Sequence, residues 1–191
     1  MSMTLYGSLP SPFVRRIRMF LDDIEYQFQA VELYDDDKRA EFAAITPIRK
    51  LPVLVDNGES IFDSHVIYHY LRQKQGLPEP SIAQHNLISV IDSVNDALII
   101  LFMAKNSGLS VGPDSLIFKL QMERIPDSLK WLDQRAEQGA FDAWSYPVIA
   151  LICLLDWAEF RKLYEFGAYP ALLAARNLYS QRKIVLETAP E

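Results

Sequence analysis

The chain has 191 residues, half of them apolar, with a formal net charge of −6 and nineteen basic residues scattered along its length. That is enough chain for one large or two small domains with a substantial core. The acidic balance and the dispersed cations argue against a nucleic-acid binder, which needs a basic face.

The single cysteine, Cys153, lies inside Ile149-Ala150-Leu151-Ile152-Cys153-Leu154-Leu155. It cannot form an internal disulfide and reads as an inert core thiol, which fits a reducing cytoplasm. The N-terminus lacks a charged start followed by an apolar block, so no signal peptide is expected. The longest apolar runs, Ala97 to Ala104 and Val148 to Leu155, fall short of the about 18 residues of a bilayer span. Both are expected as buried helix, with no membrane partner.

Met3 to Tyr6 predicts a first strand, and Gly7 to Pro12 a turn punctuated by glycine and two prolines. The amphipathic run Phe13, Val14, Ile17, Phe20, Leu21 predicts a helix ending near Asp22-Asp23. Ser11-Pro12 at its start is a favoured cap followed by a favoured first helical residue. A helix N-terminus also stabilises a nucleophile or anion placed against it, so the same hydroxyl suits a cap or a reactive turn. Tyr26 to Val31 alternates as a half-buried strand. Asp35-Asp36-Asp37 then reads as a solvated helix cap, because no further ligand set accompanies it.

Leu51-Pro52-Val53-Leu54-Val55 predicts a third strand, Asp56-Asn57-Gly58 a hairpin turn and Ser60-Ile61-Phe62 the returning strand. Asp63-Ser64 caps a helix from His65 to about Gln75. His65 and His69 stand four apart on it, as in some zinc sites. No glutamate follows His65 and no third ligand is found, so no metal is expected. No nucleophile-elbow motif for a serine hydrolase occurs.

After the linker Gly76 to Pro80 no strand pattern recurs. Leu87, Ile91, Val94, Leu98, Leu101 and Phe102 share one helical face, and Phe118, Met122, Ile125, Leu129 and Leu132 another, with Pro126 as an expected kink. Val148 to Leu155 is apolar on all sides, as in a central helix, and Pro170 opens a last helix through Leu178. The expected order is β-α-β-α-β-β-α followed by an all-helical part, hence two small domains: 1–76, a linker at 77–81, and 82–191.

In this layout the chain resembles the glutathione transferase family. The resemblance rests on Thr4-Leu5-Tyr6-Gly7-Ser8-Leu9-Pro10-Ser11-Pro12-Phe13-Val14-Arg15-Arg16, Lys50-Leu51-Pro52-Val53-Leu54, Phe62-Asp63-Ser64-His65-Val66-Ile67, and the C-terminal segments Asp156-Trp157, Tyr169-Pro170 and Thr188-Ala189-Pro190. It implies an α/β thioredoxin-like N-terminal domain that binds glutathione and an all-α helical-bundle C-terminal domain. It also implies a cytoplasmic homodimer that conjugates or reduces a hydrophobic electrophilic small molecule, a detoxification activity with glutathione as co-substrate.

The resemblance further assigns residues. Ser11 would activate the glutathione thiol, with Ser8 the runner-up and Tyr6 a distant third. Leu51, before a cis Pro52, would pair its backbone with the cysteinyl unit as an added strand does. Asp63 and Ser64 would hold the γ-glutamyl group, Lys50 the glycine carboxylate as a point charge, and Phe13 the electrophile. Asp92, Asn95 and Asp96 fall in a region that packs at the family's dimer interface and can reach the partner's glutathione; singly, each reads as part of a solvated polar face.

Two positions depart from the family pattern. Arg49 stands where a glycine or a small or polar residue is usual, at the glycine end of the site. Ser145-Tyr146-Pro147-Val148 replaces a Ser/Thr-x-x-Asp capping box. These departures leave a rival expectation, a non-catalytic interaction protein on the same fold.

Overall fold

The computed structural model describes residues 3–32 and 35–190. They form two compact units, one of Met1–Glu79 with Lys183–Glu191 and one of Pro80–Arg182.

The first unit holds a four-stranded sheet in the order β2-β1-β3-β4, built from β1 (Met3–Gly7), β2 (Gln27–Ala30), β3 (Val53–Asp56) and β4 (Glu59–Phe62). β1 runs parallel to β2 and antiparallel to β3, and β3 runs antiparallel to β4. The parallel pair needs a crossover, and α1 (Pro12–Phe20) supplies it. The antiparallel pair closes through the left-handed turn at Asn57 and Gly58, with φ of 52° and 84°, a backbone that Asn-Gly adopts readily. Helix α3 (Ser64–Lys74) packs on α1 and on β3 and β4. This is the thioredoxin-like domain expected from the sequence, including α2 (Asp36–Phe42). Asp35 caps α2 by accepting the Lys38 N–H at 3.0 Å, as the acidic run predicts.

Leu5, Val14, Ile17, Val53, Leu54 and Ile67 are fully buried in this unit. Gly7 ends β1 where α1 crosses it. A Cβ there would lie 2.4 Å from Val14 Cγ1 and 3.0 Å from Phe28 Cε2, so only glycine fits without repacking. Beneath the hairpin, the buried carboxylate of Asp56 accepts from Tyr70 Oη at 2.8 Å and pairs with Lys74.

The second unit is helical: α4 (Ile82–Asn106), α5 (Leu116–Glu137), α6 (Tyr146–Phe160) and α7 (Pro170–Leu178). α4 opens with a reciprocal capping box, Gln84 N–H to Ser81 Oγ at 3.2 Å and Ser81 N–H to Gln84 Oε1 at 2.9 Å. By length and composition α4 is apolar enough to cross a bilayer, which the shorter runs read from the sequence did not anticipate. Its buried face, including Leu87, Ile88, Ile91, Val94 and Leu98, belongs to a helix that packs on α5 and α6. α6 is buried almost throughout, Cys153 included, as its all-round apolarity predicts. Its Ser145 makes no side-chain cap bond, in keeping with Pro147 and Val148 where the usual box would stand. Pro126 lies inside α5. The N-terminus of α7 is capped from α5, with the Leu172 N–H donating to Asp133 Oδ1 at 3.0 Å.

One element was not expected. Helix α8 (Lys183–Glu187) groups with the first unit, so residues 183–191 leave the helical domain read as 82–191. The reason is buried and polar: Arg15 Nη2 donates to Val185 O at 3.0 Å and Arg15 Nε to Thr188 Oγ1 at 3.3 Å.

Candidate active site

The strand registers gather the sequence-predicted residues of the first unit. Tyr6 pairs with Val53, and Val53 with Phe62. The C-terminal end of β1, the entrance to β3 and the C-terminal end of β4 therefore lie at the same end of the sheet. The three segments that extend from these points are the Ser8–Ser11 turn, Arg49–Pro52, and Asp63-Ser64.

Ser11 is the N-cap of α1, in extended backbone (φ −77°, ψ 125°). Its Oγ accepts the Val14 N–H at 3.3 Å. Its own N–H donates to Ser8 O at 3.0 Å, which closes the turn. A hydroxyl that accepts a cap bond keeps its proton, and among the described residues Ser11 Oγ donates to none. Ser8, Tyr6 and Phe13 are half-buried beside it. The Phe13 ring is steadied by the Arg16 guanidinium, whose Cζ stands 4.7 Å from the ring centroid.

At the β3 entrance the Leu51–Pro52 peptide bond is cis, as the resemblance implies. Leu51 is half-buried and Pro52 buried. Neither the N–H nor the C=O of Leu51 bonds to another described residue. Arg49 and Lys50 are both solvent-exposed, and Arg49 adopts a left-handed φ of 49°.

At the third segment Asp63 caps α3, accepting the His65 N–H at 2.8 Å. Its φ of 75° is a backbone that L-residues rarely adopt, and such outliers cluster at functional sites. The cap holds Ser64 buried at the first turn. The N-termini of α1 and α3 thus open at one end of the sheet, and both concentrate unpaired N–H groups and positive potential there. That end is suited to an extended ligand carrying carboxylates and an ionisable thiol.

A model of the glutathione S-transferase N-terminal domain matches residues 5–79. Over its whole length the chain superposes on all of a glutathione S-transferase from Methylobacillus flagellatus KT, solved with glutathione bound, at 28% identity and a TM-score of 0.88. Residues 5–79 therefore match the glutathione S-transferase N-terminal domain, and the whole chain shares the glutathione transferase fold. It is also 27% identical to the Escherichia coli GST-like protein YibF over 172 residues, 84% of each chain. A 70-residue stretch, 35% of this chain and 30% of the relative, is 41% identical to glutathione S-transferase U6 of Arabidopsis thaliana.

Within the glutathione transferase fold, Ser11, Ser8, Phe13, Lys50, Leu51, Pro52, Asp63 and Ser64 all belong to the N-terminal unit. Asp92, Asn95 and Asp96 belong to α4 of the helical unit. Asn95 is fully buried, and neither its amide nitrogen nor its oxygen has a hydrogen bond among the described residues. It is therefore not part of a solvated face. The sequence reading missed the residues that hold the turn in place: Gly7, Arg15 and Arg16. Gly7 carried a signal, a glycine at a strand end before a Pro-Ser-Pro turn. Arg15 carried none, because its acceptors lie 170 and 173 residues away.

Proposed function

We propose that this chain is a glutathione transferase that conjugates or reduces an electrophilic small molecule with the glutathione thiolate. The observation that carries the reading is the Ser11 hydroxyl, which accepts its cap bond and retains an uncommitted proton at the N-terminus of α1. That proton can donate to the glutathione sulfur, and the helix end adds positive potential. Both favour thiolate over thiol, and the thiolate is the nucleophile.

The other segments supply binding. The unbonded N–H and C=O of Leu51 would pair with the cysteinyl backbone. Ser64 and the first turn of α3 would hold the γ-glutamyl carboxylate, with Asp63 attracting its ammonium group. Lys50, exposed at the β3 entrance, would meet the glycine carboxylate beside Arg49. Phe13 offers an apolar face to the electrophile. The enzyme would work as a homodimer in a reducing cytoplasm, which the buried Cys153, held in no disulfide, fits. Light scattering should then give twice the 21.9 kDa of one chain.

Ser11→Ala should lower kcat/KM for conjugation or peroxide reduction by roughly tenfold per unit by which the bound thiol pKa rises. Retention on glutathione-agarose should be largely kept. The bound thiolate, followed by its ultraviolet absorbance against pH, should titrate higher in the variant. Unchanged activity and titration would move the role to Ser8 or to backbone N–H groups. Glutathione at 100 times its dissociation constant should stabilise the wild-type protein by about 2.7 kcal/mol. Failure of both that shift and agarose retention would remove the catalytic reading in favour of an interaction protein.

A further inference from the structure

We propose that His65 and His69 form a binding site for a divalent transition-metal ion that prefers imidazole ligands, of the class of Zn²⁺, Ni²⁺ and Cu²⁺. The two residues are one turn apart on α3, so their side chains share a face. Their Nε2 atoms approach to 3.1 Å, and their rings stand 4.7 Å apart at 62°. Two neutral imidazoles at that separation share one proton, with one ring donating and the other accepting. When that proton moves to Nδ1 of the donating ring, both Nε2 atoms carry lone pairs, and a metal ion takes the two.

The distance fits the exchange. Nitrogens bound at about 2.0–2.1 Å to one ion stand roughly 3.3 Å apart at a tetrahedral angle and roughly 2.9 Å apart at a right angle. The observed separation of 3.1 Å lies between these values. The rings are also held in place. His69 packs against Tyr68 at 5.4 Å, and Tyr68 meets Phe20 edge-on at 5.0 Å. His65 has its backbone N–H bound to the Asp63 carboxylate, which fixes the first turn of the helix.

Spacing along α3 alone offers the pair no third ligand. Two imidazoles with water completing the shell are sufficient for an exchangeable ion, and imidazole suits zinc, copper and nickel. The positive end of α3 opposes a cation nearby, while the exposed Asp63 carboxylate at the same terminus acts against it. The site is therefore an exchangeable one rather than a structural centre on which folding depends, and it stands independently of the glutathione reading.

The test is a calorimetric titration of the untagged protein with Zn²⁺. The expected result is one ion per chain, with His65→Ala and His69→Ala each weakening binding at least tenfold. Circular dichroism would show that each variant is folded. Where a variant does not fold, the wild-type protein decides, since the ring nitrogen resonances of both His65 and His69 should shift on adding Zn²⁺. Binding that survives either substitution, ring resonances that do not move, or no uptake by the wild-type protein at millimolar Zn²⁺ would overturn the assignment.

Discussion

The two units of this chain solve the problem of a unique core in different ways. In the sheet-containing unit the buried set includes Arg15, Arg16, Asp56, Ser64, Arg72 and Thr188. Directional bonds fix much of it: Arg15 to Val185 and Thr188, Asp56 to Tyr70 and Lys74, Arg72 to Leu77 O at 2.7 Å and to Glu79. The helical unit turns on α6, whose residues from Tyr146 to Leu155 are buried and apolar apart from the Tyr146 hydroxyl. Bonds specify angle and register, whereas packing specifies volume. A unit that presents a hydroxyl, a backbone pair and two helix ends at one end of its sheet needs the first kind of constraint. A unit whose central helix contributes apolar bulk needs the second.

The comparison breaks most visibly in α6. Leu151 is fully buried, so Leu151→Ala should cost about 2–5 kcal/mol in urea denaturation, from lost transfer energy plus a cavity. A cost below about 1 kcal/mol would mean that its neighbours collapse into the space, and α6 would not be the packed centre described.

The corresponding change in the first unit is Asp56→Asn. Removing a buried charged acceptor should cost about 1.5–3 kcal/mol at neutral pH, with a pH signature that Leu151→Ala cannot produce. The hydrogen bond from Lys74, then that from Tyr70, holds the Asp56 carboxyl below the ordinary carboxylate range against its burial. A depressed folded pKa contributes stability that is present above the unfolded value of about 3.9 and lost as pH falls through the folded one. Wild-type stability should therefore decline on acidification below about pH 4, and the variant's profile should be flatter there. Identical profiles would show that this carboxylate does not couple folding to protons.

The smallest effect tests steric rather than polar specification. Gly7→Ala places a methyl against Val14 and should cost about 1–3 kcal/mol. Val14→Ala in the same chain should recover part of that loss. A double variant whose losses simply add would mean that the clash is relieved by backbone movement.

The parts legible in the sequence were those with local causes. The Asn57-Gly58 turn, the Ser11 and Asp63 caps, the proline-led third strand and the apolar α6 each depend on residues within a few positions of one another, and each stands where it was read. The helical start of α7 was legible from Pro170, but its cap was not, because Asp133 reaches it from a different helix. α8 was missed for a similar reason: five residues carry too little periodicity to announce a helix, and their partner Arg15 belongs to the opposite end of the chain. The Asn95 amide was read as solvated because sequence position cannot reveal which side of a long apolar helix faces the core. The histidine pair is visible as a spacing, but its 3.1 Å approach depends on side-chain rotamers, that of His69 packed against Tyr68.

The bond from Arg15 to Val185 also sets a timetable for synthesis. The two residues are separated by 170 positions, and translation at about 5–20 residues per second puts roughly ten to thirty seconds between them. Through that interval the whole sheet, the Ser11 turn and the entire helical unit have left the peptidyl-transferase centre, while the α1 arginine still lacks these two acceptors. Of the two units, the one begun earlier is thus the one completed later. A ribosome stalled before residue 183 would carry the sheet-containing unit with its strands made and these two acceptors of Arg15 not yet supplied.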